Sequence, residues 1–69
     1  MIGYPESSSI IEAGYSPERQ VFRARFPGGR MYNYLNVPPA VYQGFLDADS
    51  KGQFVNWHIK PNFDYEEID

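Results

Sequence analysis

The sequence predicts an α+β domain: a three-stranded antiparallel β-meander followed by two short helices packed on one face, in the order β-β-β-α-α. Three observations lead there. Arg19 to Val37 reads as one hairpin, with RQVFRARF and RMYNYLNV alternating on either side of Pro27-Gly28-Gly29. Val37-Pro38-Pro39 then breaks the alternation, and PAVYQGFLDA has helical spacing. Ser50-Lys51-Gly52-Gln53 has the pattern of a capping box, opening a second helix to about Lys60.

The hairpin turn sets which side chains share a face. A two-residue Gly28-Gly29 loop would be type I′, but it places Pro27 opposite Arg30, where a hairpin needs a backbone donor that proline lacks. A three-residue loop is preferred. It puts Pro27 at the second position of a type I turn and Gly29 in the left-handed position of a bulge. Phe26 then pairs with Arg30, Ala24 with Tyr32, and Phe22 with Tyr34. One face carries Phe22, Ala24, Phe26, Tyr32 and Tyr34, and reads as core. The other carries Arg19, Val21, Arg23 and Arg25 beside Met31, Asn33, Leu35 and Val37. A slip of one residue would bring Tyr32 and Tyr34 beside Arg23 and Arg25.

The first strand is expected from Ser8 to Tyr15, with Ile10 and Ile11 facing opposite ways and Gly14 marking a bulge or a close backbone approach. Residues 1–7 read as a loose arm, because Pro5 rules out a central strand. Pro17 suits the turn at Ser16-Pro17-Glu18. Pro39 suits the first turn of a helix. In that helix Val41, Phe45 and Ala48 line up, widened by Tyr42 and Leu46. Gly44 costs it about 1 kcal/mol relative to alanine, so docking on the sheet must hold it. Phe54, Val55, His58 and Ile59 form the stripe of the second helix, which Pro61 stops. Phe63 and Tyr65 are spaced as a short strand or an aromatic tether, and residues 64–69 are an acidic tail. All 69 residues form a single domain.

Composition narrows the function. With no cysteine, disulfides and thiolate zinc sites are excluded. His58 is the only histidine and has no partner for metal or nucleophile chemistry, so neither a metal nor a cofactor is expected. Asp47 and Asp49 flank a helix end, where carboxylates favour the next N-terminus. Ser7, Ser8 and Ser9 have no base near them, and an enzyme is not expected. No apolar stretch approaches the roughly 18 residues of a membrane span. The N-terminus lacks the regions of a signal peptide. A cytoplasmic protein without membrane contact is the default.

Net charge is −3, against a generic nucleic-acid binder. Yet four of the nine acids lie in the last six residues; the other five are outnumbered by six cations, and Arg19 to Arg30 contains no acid. The charge pattern nominates Arg23, Arg25 and Arg30 for phosphate contacts, or alternatively as a solvated face. Lys51 at a helix N-terminus, where the alternative is simple capping, and Lys60 are further cationic candidates. Tyr32 and Tyr34 read as core, with base stacking as the alternative. Asn56, of poor helix propensity, reads as structural.

The ordered set of motifs resembles one family. It runs Ser7, Ser8, Ile10, Gly14, Tyr15; Phe26, Gly29, Tyr32, Tyr34; Val37, Pro38, Val41, Tyr42; Ser50, Lys51, Gly52, Phe54, Asn56, Ile59. This resembles the KTSC domain, whose members occur at the C-terminus of some lysyl-tRNA synthetases and as single-domain bacterial and phage-type proteins. Its hallmark Y-x-Y is Tyr32-Asn33-Tyr34. The resemblance spans about residues 7–65. It implies no catalytic residues, and RNA binding is the function it suggests. Tyr32, Tyr34, Gly29, Ser50, Gly52 and Asn56 are motif positions of structural character. The acidic end departs from the family's more basic pattern.

The expected activity is therefore that of a non-catalytic module binding RNA or single-stranded nucleic acid through an arginine-rich sheet face. The alternative is a protein-interaction module or homodimer using Val21, Met31 and Leu35 on the same face.

Overall fold

A computed structural model describes residues 2–3 and 10–68. The meander is present: β2 (Glu12–Ser16), β3 (Val21–Arg25) and β4 (Met31–Tyr34) pair antiparallel in sequence order. Helix α1 (Pro39–Asp47) follows, then α2 (Lys51–Phe54), which runs without a break into a π-helical segment, Val55–Ile59. Two short strands extend the sheet. β1 (Ile2–Gly3) pairs with β2 at one edge, and β5 (Tyr65–Ile68) pairs with β4 at the other, so the order is β1-β2-β3-β4-β5.

The hairpin register is the three-residue one. Phe22 faces Tyr34, Ala24 faces Tyr32, and the Phe26 amide donates to the Arg30 carbonyl at 2.8 Å. The turn type differs from the type I expected. Gly28 has φ +97° and Gly29 φ +88°, and the Gly29 amide donates to the Phe26 carbonyl at 3.1 Å. A positive φ at the third position makes the turn type II, which Pro27 at the second position also suits.

The ends of the chain differ more. Ile2–Gly3 is an edge strand, not part of a loose arm; an edge is where a segment followed by a proline is tolerated. Met1 and residues 4–9, including Ser7 and Ser8, lie outside the described residues. β2 begins at Glu12, although the Ile11 amide already joins the ladder, donating to the Arg25 carbonyl at 2.8 Å. Ile10 is buried and Ile11 exposed, as opposite facing requires. Gly14 sits in regular register opposite Arg23, without a bulge. Of the short strand or aromatic tether suggested by Phe63 and Tyr65, the strand is present, and it reaches into the expected acidic tail: Tyr65–Ile68 pairs with β4 along its whole length, Tyr65 with Tyr34 through Ile68 with Met31. Charged side chains suit a sheet edge, where they discourage pairing with another chain.

The core lies between the sheet and the helices. Phe22, Ala24, Ala13 and Tyr34 meet Phe45, Val55 and Ile59, all buried, together with Ile10 and with Val37, which is in the core rather than on the arginine face because β4 ends at Tyr34 and Asn36, at φ +59°, breaks the alternation. Phe45 packs edge-on against Phe22 at 4.9 Å. Gly44 lets α2 approach closely: a Cβ there would lie 3.1 Å from the Phe54 ring, which explains why a weak helix former occupies the position. The Ser50 hydroxyl caps α2 by accepting from the Gln53 amide at 3.3 Å. The π turn is closed by the Lys60 amide donating to the Val55 carbonyl at 2.8 Å. No helix among the described residues is long and apolar enough to cross a membrane.

Candidate nucleic-acid interface

Side chains alternate along each strand, so residues next to the core face project to the opposite, helix-free face. There the antiparallel registers assemble two cross-strand rows. One is Glu12, Arg25, Met31 and Ile68; the other is Gly14, Arg23, Asn33 and Glu66. In the second row Arg23 Nε donates to Asn33 Oδ1 at 2.9 Å, and Asn33 Nδ2 donates to Glu66 Oε1 at 3.4 Å. In the first row Arg25 Nε lies 3.2 Å from Glu12 Oε1. That contact is coulombic, because its angle leaves the covered Nε without a hydrogen bond.

Beside these rows lies an open groove of about 500 Å³, lined by Gly14, Ser16, Arg19, Arg23, Asn33 and Glu66 together with Tyr15 and Val21. Arg19 belongs to the β2–β3 turn rather than to a strand. Gln20, at φ +55°, closes that turn, and its carbonyl accepts from the Val37 amide at 2.8 Å.

The cations nominated from the sequence do not form one surface. Arg23 and Arg25 share the helix-free face. Arg30 stands at the hairpin tip, where the neighbouring Tyr32, then Glu67, raise its pKa above the usual guanidinium value. Lys51 is engaged in the fold: its ammonium donates to the Leu46 and Ala48 carbonyls at 2.7 and 2.6 Å, closing the C-terminus of α1. Lys60 lies across the sheet from Arg23, with its ammonium 4.5 Å from the centre of the Phe26 ring.

Tyr32 and Tyr34 are on the core side. Tyr34 is buried, and burial, then the neighbouring Tyr32 and Tyr65, push its pKa up to about 12. Tyr32 is half-buried and touches Phe26, Tyr34 and Tyr65. Of the other motif residues, Gly29 supplies the left-handed turn position, Ser50 the helix cap, Gly52 a buried position in α2, and Asn56 is exposed. Sequence reasoning did not nominate Asn33, Glu66 or Tyr65 as site residues. Only the pairing of β5 with β4 brings Glu66 beside Asn33 on this face and Tyr65 beside Tyr34 on the other, and the spacing of Phe63 and Tyr65 was the one strand signal in that stretch. Among the described residues, no three histidine, aspartate or glutamate side chains gather to hold a metal ion.

A family model for the KTSC domain matches residues 6–63. The chain belongs to the KTSC domain family. A protein of Tsukamurella paurometabola is 50% identical over 58 residues, covering 84% of this chain and 87% of its own. A lysine–tRNA ligase of Nostoc punctiforme is 38% identical over 64 residues, 93% of this chain but only 11% of the ligase. A crystal structure of a KTSC domain protein from Yersinia pestis has a TM-score of 0.85 at 37% identity, covering 93% of this chain and 90% of its own. The five-stranded sheet and its helical layer are thus the architecture of a KTSC domain.

Proposed function

We propose that this KTSC domain is a non-catalytic module that binds single-stranded RNA on the helix-free face of its sheet. The observation that carries the reading is the groove in which Arg19 and Arg23 stand beside Ser16 and Asn33. Guanidinium groups contact phosphates, while hydroxyl and amide groups contact ribose or base edges. The groove is open to solvent, which suits a strand better than an enclosed small molecule. The related lysine–tRNA ligase adds support, since its name places a similar domain in a protein that acts on tRNA. Self-association through Val21, Met31 and Leu35 has less support: all three are half-buried, and Ile68 pairs beside Met31.

Glu66 faces the same groove through Asn33, so it competes with phosphate for the polar row. Deleting residues 64–69 would also remove β5, so Glu66→Gln is the cleaner probe of that charge. The test is a chemical-shift titration with a short single-stranded RNA at two salt concentrations. Signals of Arg19, Arg23 and Asn33 should move, and the log–log salt slope should be shallow, about −0.7 per phosphate contact. Arg19→Glu with Arg23→Glu should abolish binding without unfolding the domain, and Glu66→Gln should strengthen it. Unchanged affinity in the double variant would sink the proposal.

A further inference from the structure

The opposite side of β4 and β5 holds a second recess. Tyr32, Tyr34, Tyr65 and Lys60 line a half-open cleft of about 230 Å³. Its walls are aromatic: Tyr65 stands edge-on to Tyr32 at 5.4 Å and tilted to Tyr34 at 5.9 Å. Tyr65 is 61% exposed, although it is the partner of buried Tyr34 across the ladder. A large ring held by two neighbours and still mostly in water offers a stacking surface. Lys60 supplies the charge. Its ammonium rests over Phe26 and meets no carboxylate among the described residues, which leaves its donors for an anion. The volume lies below the roughly 300–1,000 Å³ typical of sites for drug-sized ligands, so the cleft suits one ring system.

We propose that this cleft is a nucleotide subsite, in which the base stacks on Tyr65, its polar edge meets the tyrosine hydroxyls, and the phosphate binds Lys60. Aromatic rings alone would take any flat apolar group. Three phenols and an ammonium select a ring with polar edge atoms and an attached anion, which is the chemistry of a nucleoside monophosphate. The ligand is either a free nucleotide or one nucleotide of a strand. Because Tyr32, Tyr34 and Tyr65 project from the other side of the sheet than Arg23 and Asn33, the subsite stands or falls separately from the arginine groove.

The test titrates isotope-labelled protein with uridine 5′-monophosphate, uridine, ribose 5-phosphate and a uridine trinucleotide. The monophosphate should move Tyr32, Tyr65 and Lys60 signals, and should bind more tightly than uridine or ribose 5-phosphate. Tyr65→Ala should weaken it roughly tenfold, as loss of one base–aromatic stack does. Tyr65→Phe should retain most of the affinity, and Lys60→Gln should reduce the monophosphate to the level of uridine. A trinucleotide that binds more tightly than the monophosphate, with the same signals moving, identifies a strand as the source; equal affinity identifies the free nucleotide. Arg19→Glu with Arg23→Glu should leave the monophosphate response intact. If neither the monophosphate nor the trinucleotide moves these signals, if ribose 5-phosphate binds as well as the monophosphate, or if both Tyr65→Ala and Lys60→Gln bind normally, the subsite does not exist.

Discussion

The two sides of one sheet, a single residue apart along β3 and β4, are built by different physics. Phe22, Ala24 and Tyr34 face the helices and are buried against Phe45, Val55 and Ile59. Arg23, Arg25 and Asn33 face water and are joined to Glu12 and Glu66 by ion-pair and hydrogen-bond contacts. Burial of apolar area is worth roughly 25 cal/mol per Å², whereas exposed ion pairs contribute about 0–1 kcal/mol. Stability therefore resides on one side, and the contacts of the other contribute little to it. The cleft at Tyr65 lies at the rim of the stabilising side, where the core meets the last edge strand.

The sharpest way to break this comparison is Phe45→Ala. Phe45 is fully buried and touches Phe22 and Phe54. The substitution should cost about 3–5 kcal/mol, much of what a domain of this size possesses. Urea unfolding that kept its midpoint would mean that the helices do not carry the core.

A second measurement sharpens it on the same side. The Tyr34 pKa is raised to about 12 from an ordinary value near 10. The folded state thus holds the proton more tightly than the unfolded chain. Its contribution is complete below pH 10 and is lost as pH rises toward 12, up to about 2–3 kcal/mol. Thermal midpoints should fall across that window, and Tyr34→Phe should flatten the fall. An identical alkaline profile in the variant would show that the ring's hydroxyl is not desolvated.

The smallest effect belongs to the outer face. Glu12→Gln removes the carboxylate beside Arg25, whose side chain is 43% exposed. Stability should change by less than about 1 kcal/mol. A loss several times larger in chemical denaturation would make the outer row part of the fold's framework rather than an exchangeable surface.

The amino-acid sequence by itself determined the meander, the hairpin register, both helix starts and the family. These rest on local signals: Pro27 and Gly29 at the turn, Pro39 at the first turn of α1, Ser50 at the cap of α2, and period-two alternation between them. It also marked Phe45 as core. Tertiary structure alone decided the rest. Gln20 enters the left-handed region, which no preference of glutamine announces, in a loop whose carbonyl the Val37 amide reaches. Lys51 reads as an anion contact in sequence, but α1 ends close enough for its ammonium to hold two carbonyls. The run from Asp64 reads as an acidic tail, in which the spacing of Phe63 and Tyr65 leaves strand and tether open; pairing with β4 decides for a strand. That pairing links residues more than 30 positions apart, and it places Glu66 beside the arginine row and Tyr65 at the cleft. Local preference sets the elements here, whereas the sites are made by long-range pairing, whose strength comes from partners that the local sequence does not contain.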